Sequence, residues 1–315
     1  MKIADTRRAF LDGRIGKPEF IRTMFDLYHA KLFDYADYLQ QTNIASIEIR
    51  DGQIVMTSRD NGVKIICPPS DHRVAPIETL NFLEYESEDS DMIMRLVSPN
   101  SCMLDIGANM GWYALNIAKT YPSCMVHAFE PIPNTYQLLV ENTKLNTINN
   151  VVTHNFGFGD EEKDLIFFYY REGSGAASSA NTSEREDVEK IVCHVEVLDD
   201  FANRLHLPRV DFIKCDVEGA ELFVFRGAKK LLERDKPIVF SEMLRKWSKK
   251  FGYHPNEIIA FFSSLGYRCF YADQTTLKEL HEMTDETVQT NFFFLHPKQH
   301  AKEMSSLASF KTLGG

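Results

Sequence analysis

The stretch MLDIGANMG at residues 103–111 decides the fold of this chain. It begins as an apolar, strand-like run that contains Asp105 and passes into a glycine-rich turn, after which the apolar run WYALNIA at 112–118 has the character of a helix. A second strand-like run, MVHAFE at 125–130, ends in Glu130. Chains built in this way usually hold a nucleoside-bearing cofactor at the carboxyl ends of parallel strands.

Strand-like and helical runs alternate from residue 101 onward, and a helical stretch at 76–97 leads into them. This alternation predicts an α/β fold, with a mainly parallel sheet of the Rossmann-like type and helices on both faces. Two later runs, 267–272 and 290–295, are predicted to close the sheet. The other strand-like runs lie near 102–106, 125–130, 151–155, 210–216 and 237–242, and the helical runs at 112–120, 133–146, 219–233 and 255–265.

Two runs interrupt this rhythm between the third and fourth strands, LIFFYY at 165–170 and IVCHVEV at 191–197. Both are rich in β-branched and aromatic residues, so we predict an inserted β-hairpin. The segment that joins them, 173–190, is rich in Gly, Ala, Ser and charged residues and is predicted to be a mobile loop.

The N-terminal part has a different character. Residues 1–45 carry apolar side chains at helical spacing, whereas 47–66 contain short alternating runs separated by Asp-Gly and Asn-Gly pairs, which are typical of hairpin turns. We therefore expect an N-terminal helical and β-hairpin extension at 1–75, a cofactor-binding domain at 76–300 and a polar, disordered tail at 301–315. The extension is a candidate for pairing two copies into a homo-oligomer or for covering the substrate.

The composition limits the classes of function. The 315 residues include 44% hydrophobic and 25% charged residues, which is ordinary for a soluble globular protein. The net charge of −10 argues against a nucleic-acid partner, because binding to phosphates depends on Lys and Arg. The basic run RKWSKK at 245–250 is interpreted as a solvated surface.

Compartment and membrane association follow from other features of the chain. The six cysteines lie far apart without any Cys-x-x-Cys pair, which fits a reducing compartment. No run approaches transmembrane length, and the first residues, MKIADTRR, lack the apolar core of a secretion signal. We therefore expect a cytoplasmic protein without membrane insertion.

Asp105 indicates which cofactor the turn binds. A dinucleotide places its pyrophosphate over such a turn, where a carboxylate repels it, whereas S-adenosylmethionine carries a cationic sulfonium and an ammonium group that a carboxylate attracts. The turn Gly107-x-Asn109-x-Gly111 also departs from the dinucleotide pattern, with Asn109 at the second glycine position. Glu130 stands where an acid accepts hydrogen bonds from the ribose hydroxyls.

Several motifs together resemble the FkbM-type family of S-adenosylmethionine-dependent O-methyltransferases: DIGANMG at 105–111, AFEPIP at 128–133, DFIKCDVEGAE at 211–221, and Asn142 and Asn146 between them. The resemblance covers about residues 85–245. It implies a class I methyltransferase sheet of seven strands, the last of them antiparallel. By position it places Glu130 at the ribose, Glu86 near the cofactor entrance, and Phe156 and Gly157 beside adenine. The residues that it places around the methionine half of the cofactor are Asp105, Gly107, Asn109 and Gly111.

The reactive groups are expected where the fourth and fifth strands end, since the carboxyl ends of parallel strands meet at one cleft. Asp216 and Glu242 end these strands, and Lys214 shares the strand face of Asp216. Asp216 is a candidate for general base, for holding the acceptor hydroxyl, or for binding Mg²⁺ or another divalent cation with Glu242 or Glu218. Lys214 is either a base or an ion-pair partner.

One further candidate lies outside these strands. His254, about a dozen residues after the fifth strand, is an alternative base if it reaches the cleft.

Three functional hypotheses remain at this point. The first is an O-methyltransferase that acts on a small-molecule or glycan hydroxyl, on a sugar or a sugar nucleotide. The second is an O-methyltransferase of a polyketide or other secondary metabolite, and the third is a non-catalytic binding or assembly protein on a methyltransferase scaffold. Methylation of nucleic acid is disfavoured, because no Asn-Pro-Pro-Tyr-type motif follows the fourth strand.

Overall fold

A computed structural model describes residues 2–182, 184, 186 and 188–307. The chain begins with helices that confirm the predicted helical extension, and these helices leave almost all of their residues accessible to solvent. They are α1 (Ile3–Leu11), α2 (Lys17–Met24), a π-helical turn (Phe25–His29), α3 (Ala30–Tyr38) and a 3-10 turn (Leu39–Gln41).

A small antiparallel sheet follows, with strands β1 (Ile44–Arg50), β2 (Gln53–Ser58) and β3 (Lys64–Cys67) in that order. Two amide side chains attach its third strand to the main domain. Asn146 accepts a hydrogen bond from the Lys64 amide at 2.8 Å, and Asn142 accepts one from the Ile66 amide at 2.9 Å. The extension is therefore joined to the main domain by specific hydrogen bonds.

Two helices, α4 (Ala75–Phe82) and α5 (Ser87–Leu96), replace the single helix predicted at 76–97. The break has a backbone cause, because Leu83 and Glu86 have positive φ angles of 74° and 44°, which no α-helix accommodates.

The remaining elements form the main domain and an insertion. The strands are β4 (Cys102–Ile106), β5 (Met125–Phe129), β6 (Val151–His154), β7 (Gly157–Gly159), β8 (Lys163–Tyr169), β9 (Glu189–Val197), β10 (Phe212–Cys215), β11 (Ile238–Glu242), β12 (Arg268–Asp273), β13 (Thr276–Leu280) and β14 (Asn291–Leu295). The helices are α6 (Trp112–Thr120), α7 (Pro133–Leu145), α8 (Leu198–Arg204), α9 (Glu221–Gly227), α10 (Lys229–Asp235), α11 (Arg245–Ser248), α12 (Asn256–Ser264) and α13 (Ala301–Leu307), with 3-10 turns at Ser174–Ala176 and Lys249–Phe251.

The main sheet has the order β13-β12-β14-β11-β10-β4-β5-β6. The pairs from β11 through β10, β4 and β5 to β6 are parallel, and β14 is antiparallel to both of its neighbours, β11 and β12. This arrangement confirms the class I methyltransferase fold. The sheet has eight strands rather than the seven expected, because β13 folds back on β12 and adds an edge strand.

The strand order reverses between β4 and β10, since the chain runs outward from β4 to β6 and then returns to β10. Ligands in open α/β sheets bind in the crevice beyond such a reversal point. In register, Lys214 of β10 lies opposite Asp105 of β4, so two predicted site residues are neighbours in the centre of the sheet.

The insertion is confirmed and contains one strand more than predicted. β8 and β9 form the antiparallel hairpin, and β7 pairs with β9 in a parallel arrangement. The helix predicted at 219–233 is divided into α9 and α10, which meet at Gly227 and Ala228. Gly227 lies so close to the insertion that a Cβ atom there would be 2.2 Å from the main-chain oxygen of Gly159.

The core of the main domain consists of apolar side chains on both faces of the sheet, and the six cysteines are buried within the fold as free thiols. Residues 301–307 of the predicted tail are helical, and residues 308–315 lie outside the described residues. Within the described part of the chain, every helix is too short or too polar to cross a lipid bilayer.

Candidate cofactor and acceptor site

A cavity of about 970 Å³ opens at the carboxyl ends of β4, β10 and β11. The glycine turn forms its floor, the carboxylates that follow β10 and β11 form one side, and the insertion covers another side. Trp247 and Phe251 provide an aromatic wall. The cavity therefore lies at the predicted reversal point of the sheet.

Glycine is favoured in the turn for two reasons. Gly107 has a φ of +79°, and a Cβ atom there would lie 1.8 Å from the main-chain oxygen of Asp216. Gly111 has a φ of +95°, and a Cβ atom there would lie 2.6 Å from Leu139. Both positions favour glycine, because the φ angles lie in the left-handed region, and at Gly107 the contact is with main chain that cannot move aside. The turn therefore packs closely against the chain that follows β10.

Asp105 lies beneath this turn rather than on the cavity wall. The side chain is completely buried, one carboxylate oxygen accepts a hydrogen bond from the Ala114 amide at 3.1 Å, and the other lies 3.6 Å from the Lys214 ammonium. Burial raises the pKa of Asp105. The direct attraction between Asp105 and a sulfonium, which the sequence predicts, is therefore replaced by an ion pair within the protein.

Lys214 joins the turn to the carboxylates. Its ammonium donates a hydrogen bond to the main-chain oxygen of Gly107 at 2.9 Å and lies 3.3 Å from Asp216. Burial by itself lowers the pKa of Lys214, but the carboxylates of Asp216 and Asp105 outweigh burial and raise it. The contacts of Lys214 with two carboxylates and a main-chain oxygen fit the ion-pair alternative, and its role as a base stays a prediction.

Glu130 lines the cavity at the end of β5, as predicted for a ribose partner. Its carboxylate accepts hydrogen bonds from the amides of Asn109 at 3.0 Å and Ile132 at 2.8 Å. Burial raises the pKa of Glu130 to about 7 in spite of these hydrogen bonds. The group is thus anchored to the turn and titrates near neutral pH.

The predicted adenine contacts are divided. Gly157 lines the cavity, whereas Phe156 does not and instead packs its ring against Phe129, Phe158 and Phe201. The prediction for Phe156 is therefore not met, because its ring packs among these aromatic side chains, and Phe158 lines the cavity instead. Sequence patterns gave no signal for the short strand β7, which contains Phe158.

Glu86 lines the cavity next to Tyr85, in agreement with the position expected at the cofactor entrance. Its carboxylate accepts a hydrogen bond from the hydroxyl of Tyr113, and burial raises the pKa of Glu86. Its φ of +44° places it in the left-handed region, which is uncommon for a residue with a side chain and recurs at functional sites.

Three carboxylates meet on the acceptor side. One oxygen from each of Asp216, Glu218 and Glu242 lies within 4.8 Å of the others, and all three side chains are partly accessible from the cavity. Burial raises the pKa values of Glu218 and Glu242 well above the ordinary range, and the charge of Asp216 raises them further. The structure thus brings together the residues predicted to act on the acceptor.

His254 lies away from the residues that line the cavity. Its ring accepts a hydrogen bond from the Asn256 amide at 3.2 Å, and its own amide donates to Glu257, so it stabilises the beginning of α12. The proposal of His254 as a base is therefore wrong, because local hydrogen bonding at a helix start holds it outside the cleft.

Sequence reasoning missed the segment at residues 172–178, which we call the strap. Ser174 links the extension to the glycine turn. Its amide donates a hydrogen bond to Asp71 of the extension at 3.0 Å, and its hydroxyl donates one to Asn109 of the turn at 3.4 Å. Ser178 donates to the main-chain oxygen of Glu218 at 2.9 Å. The mobility predicted for 173–190 therefore does not apply to the strap, which connects the turn to the carboxylates.

Comparison with known proteins identifies the family. Residues 105–269, just over half of the chain, match the model of the methyltransferase FkbM domain. The chain belongs to the FkbM methyltransferase family. The matched range contains the glycine turn, Glu130, the insertion and all three acceptor-side carboxylates.

Three curated relatives resemble this FkbM chain. Methyltransferase 1 of Beauveria bassiana is 30% identical over 145 residues, which cover 41% of this chain and 58% of the relative. The antimetabolite synthetase AmbE of Pseudomonas aeruginosa is 29% identical over 199 residues, or 50% of this chain and 9% of the relative. The hexuronic acid methyltransferase AglP of Haloferax volcanii is 25% identical over 161 residues, or 51% and 63%. The match thus spans less than two thirds of each relative.

Proposed function

We propose that this chain is an S-adenosylmethionine-dependent O-methyltransferase that methylates a hydroxyl group of a sugar, glycan or sugar nucleotide. The observation that carries the proposal is the meeting of Asp216, Glu218 and Glu242 beside the glycine turn in one cavity. Membership of the FkbM family supplies the reaction class. The three carboxylates supply groups that bind a polyhydroxylated acceptor and take its proton.

The residues around the turn fit S-adenosylmethionine. Glu130 ends β5 on the cavity wall, where an acid accepts hydrogen bonds from both ribose hydroxyls. Ligand sites range from about 300 to 1,000 Å³, so a cavity of about 970 Å³ accommodates a cofactor together with an acceptor. S-adenosylmethionine, when bound, supplies an electrophilic methyl group.

The task of the protein in such a reaction is alignment and proton removal, since methyl transfer is an in-line displacement. Burial and the charge of Asp216 raise the pKa values of Glu218 and Glu242, so these carboxyl groups hold protons more readily than ordinary ones. Asp216 lies between them and Lys214, and the lysine ammonium balances its charge. We assign to Asp216 and Glu242 the positioning and deprotonation of the acceptor hydroxyl.

A divalent cation is a second way to activate the acceptor at the same residues. Three carboxylate oxygens within 4.8 Å of one another suit a hard cation such as Mg²⁺, with Asp216 and Glu242 as its proposed ligands and Glu218 as a third. A bound cation lowers the pKa of a coordinated hydroxyl. The same carboxylates would then orient the hydroxyl instead of accepting its proton.

The name of one relative, a hexuronic acid methyltransferase, supports an acceptor of the sugar class. Another relative is an antimetabolite synthetase, and this favours the second candidate, methylation of a polyketide or other secondary metabolite. A non-catalytic binding or assembly role is the third candidate. It is disfavoured by the intact set of Glu130, Asp216 and Glu242 in one cavity.

Calorimetry with S-adenosylhomocysteine tests the cofactor. The full chain should bind it, and Glu130→Ala should weaken binding at least tenfold. Glu141→Ala, which removes a carboxylate on α7 that does not line the cavity, should leave affinity unchanged. Equal affinity for all three proteins, or no binding at all, would overturn the assignment.

A methyl-transfer assay on a panel of sugar nucleotides, glycosides and polyketide alcohols, with and without EDTA, tests acceptor and cation together. Transfer to the sugar compounds supports the first candidate, and loss of that transfer in EDTA with recovery by Mg²⁺ supports the cation. Tight cofactor binding without transfer to any compound would favour the binding protein.

A further inference from the structure

Half of the exposed large apolar side chains lie in a small part of the molecule. Among the described residues, 18 such side chains are exposed, and nine of them belong to residues 3–38, which we call the helical arm. Six of the nine lie at residues 21–35, within the long helical stretch from α2 to α3: Ile21, Phe25, Leu27, Leu32, Phe33 and Tyr35. Each of these six is at least 47% exposed.

The chain itself does not cover this arm. Neither α2 nor α3 contains a buried residue, and α1 contains only one. Within the arm, the rings of Phe10 and Phe20 stack at 4.5 Å, and the hydroxyl of Tyr38 at its end donates a hydrogen bond to the main-chain oxygen of Leu80 in α4. A helix with apolar side chains on several faces is normally buried, so the exposed apolar surface of the arm is typical of a surface that another chain covers.

We propose that the helical arm is the interface between two copies of this chain. The four aromatic side chains among the nine are about half exposed and offer on the order of 400 Å², given roughly 150–250 Å² for each. The five aliphatic side chains, each more than half exposed, add to this surface. One partner contributes about 800 Å² to a standard protein interface. The arm is therefore large enough to form such an interface with its own copy.

The distribution of charge favours a second copy. The first 38 residues contain seven Lys or Arg and six Asp or Glu, whereas the whole chain contains 35 and 45. The arm is thus nearly neutral and the rest of the molecule is acidic, so two copies approach with least repulsion through their arms. Helices that lie on membranes carry a Lys- and Arg-rich polar face, which this balanced arm lacks.

The molecular mass of the full chain over a range of concentrations tests this proposal. Sedimentation equilibrium should give twice the monomer mass of 36.2 kDa, with dissociation on dilution. The variant Ile21→Glu/Phe25→Glu/Leu32→Glu should be monomeric. The control variant Ile49→Glu/Val192→Glu/Val288→Glu changes three apolar residues outside the arm that are even more exposed, and it should remain dimeric.

A second measurement keeps the test independent of whether the arm variant folds. Amide hydrogen exchange of the unmodified chain should slow within residues 3–38 at concentrations where the dimer forms, and not in β12 or β13. A monomer at every concentration, or a dimer without protection in the arm, would overturn the proposal. Monomers that bind to lipid vesicles through the arm would overturn it as well.

Discussion

The hydroxyl of Ser178 donates a hydrogen bond of 2.9 Å to the main-chain oxygen of Glu218. Ser178 is 1% exposed, and Glu218 has a positive φ of 57°, so a buried hydroxyl supports the backbone of a carboxylate in an uncommon conformation. The relationship links the inserted strap to the acceptor-side carboxylates. It assigns Ser178 a positioning role for Glu218.

Replacement of Ser178 tests this role. Ser178→Ala removes a buried hydrogen bond worth about 1 kcal/mol, and we expect a roughly fivefold lower kcat with little change in S-adenosylhomocysteine affinity. Ser178→Thr keeps the hydroxyl and should restore kcat. The control Ser101→Ala removes a similar buried hydrogen bond before β4, far along the strand from the cavity, and should lower stability alone. Equal kcat values for both alanine variants would show that Ser178 is only structural.

A comparison of Gly107 with Gly252 separates the cost of close packing at the glycine turn from the cost of a positive φ angle. Both have a φ of +79°, but a Cβ atom at Gly107 would lie 1.8 Å from the main-chain oxygen of Asp216, whereas a Cβ atom at Gly252 would enter open space. Gly252→Ala should lower the free energy of unfolding by about 1–2 kcal/mol, the cost of the left-handed conformation. Gly107→Ala adds a clash and should cost roughly 3 kcal/mol or more, as measured by urea unfolding. Equal costs would contradict the close approach.

The ion pair of Lys214 and Asp105 should show strong coupling, because both side chains are buried. Lys214→Met leaves the Asp105 carboxylate without its cation, and breaking a buried pair in this way costs about 3–5 kcal/mol. Asp105→Asn in the same chain removes the uncompensated charge, so the double variant should be more stable than Lys214→Met. Additive losses in a double-mutant cycle would contradict the pairing.

Glu130 predicts a pH dependence of cofactor binding. Because burial raises its pKa to about 7, the carboxyl group of the free protein gains a proton as the pH falls through 7. Ribose hydroxyls donate to the ionised form, so affinity for S-adenosylhomocysteine should fall by about tenfold between pH 8 and pH 6. Calorimetry at three pH values measures this change.

Two variants control the pH experiment. Glu130→Gln should bind more weakly at pH 8 and should lose most of the pH dependence. Glu221→Gln changes another buried glutamate whose pKa is about 7 and which accepts hydrogen bonds from the amides of Val217 and Gly219, so it should keep the pH dependence. A pH dependence that follows Glu221 instead of Glu130 would contradict the assignment.

Prediction from the sequence succeeded where local patterns carry the information. The glycine turn at 107–111 requires positive φ angles that glycine permits, and acids at strand ends mark the crevice in any parallel sheet. Glu130, Asp216 and Glu242 were found for this reason, and the structure places all three on the cavity. Their numbers in the chain are far apart, but strand periodicity alone predicts that they share one edge.

Prediction failed where the direction of a side chain depends on packing between distant elements. Asp105 was expected to face a ligand, yet it forms an ion pair beneath the turn with Lys214, which lies 109 residues further along the chain. Phe156 was misplaced because its ring packs against Phe129 and Phe201, and His254 because it is hydrogen-bonded at the start of α12. The hydrogen bonds of the strap to Asp71, Asn109 and Glu218 had no counterpart in any local motif.

The sequence by itself determined the class of the protein: the α/β alternation, the glycine turn and the resemblance to the FkbM family all follow from residue types at short spacing. Only the tertiary structure decided which charges face the cavity and which neutralise one another, since burial and distance control both pKa values and ion pairing. It also decided that the rest of the chain does not cover the helical arm. Apolar periodicity predicts helices, but only packing reveals whether the chain itself covers them.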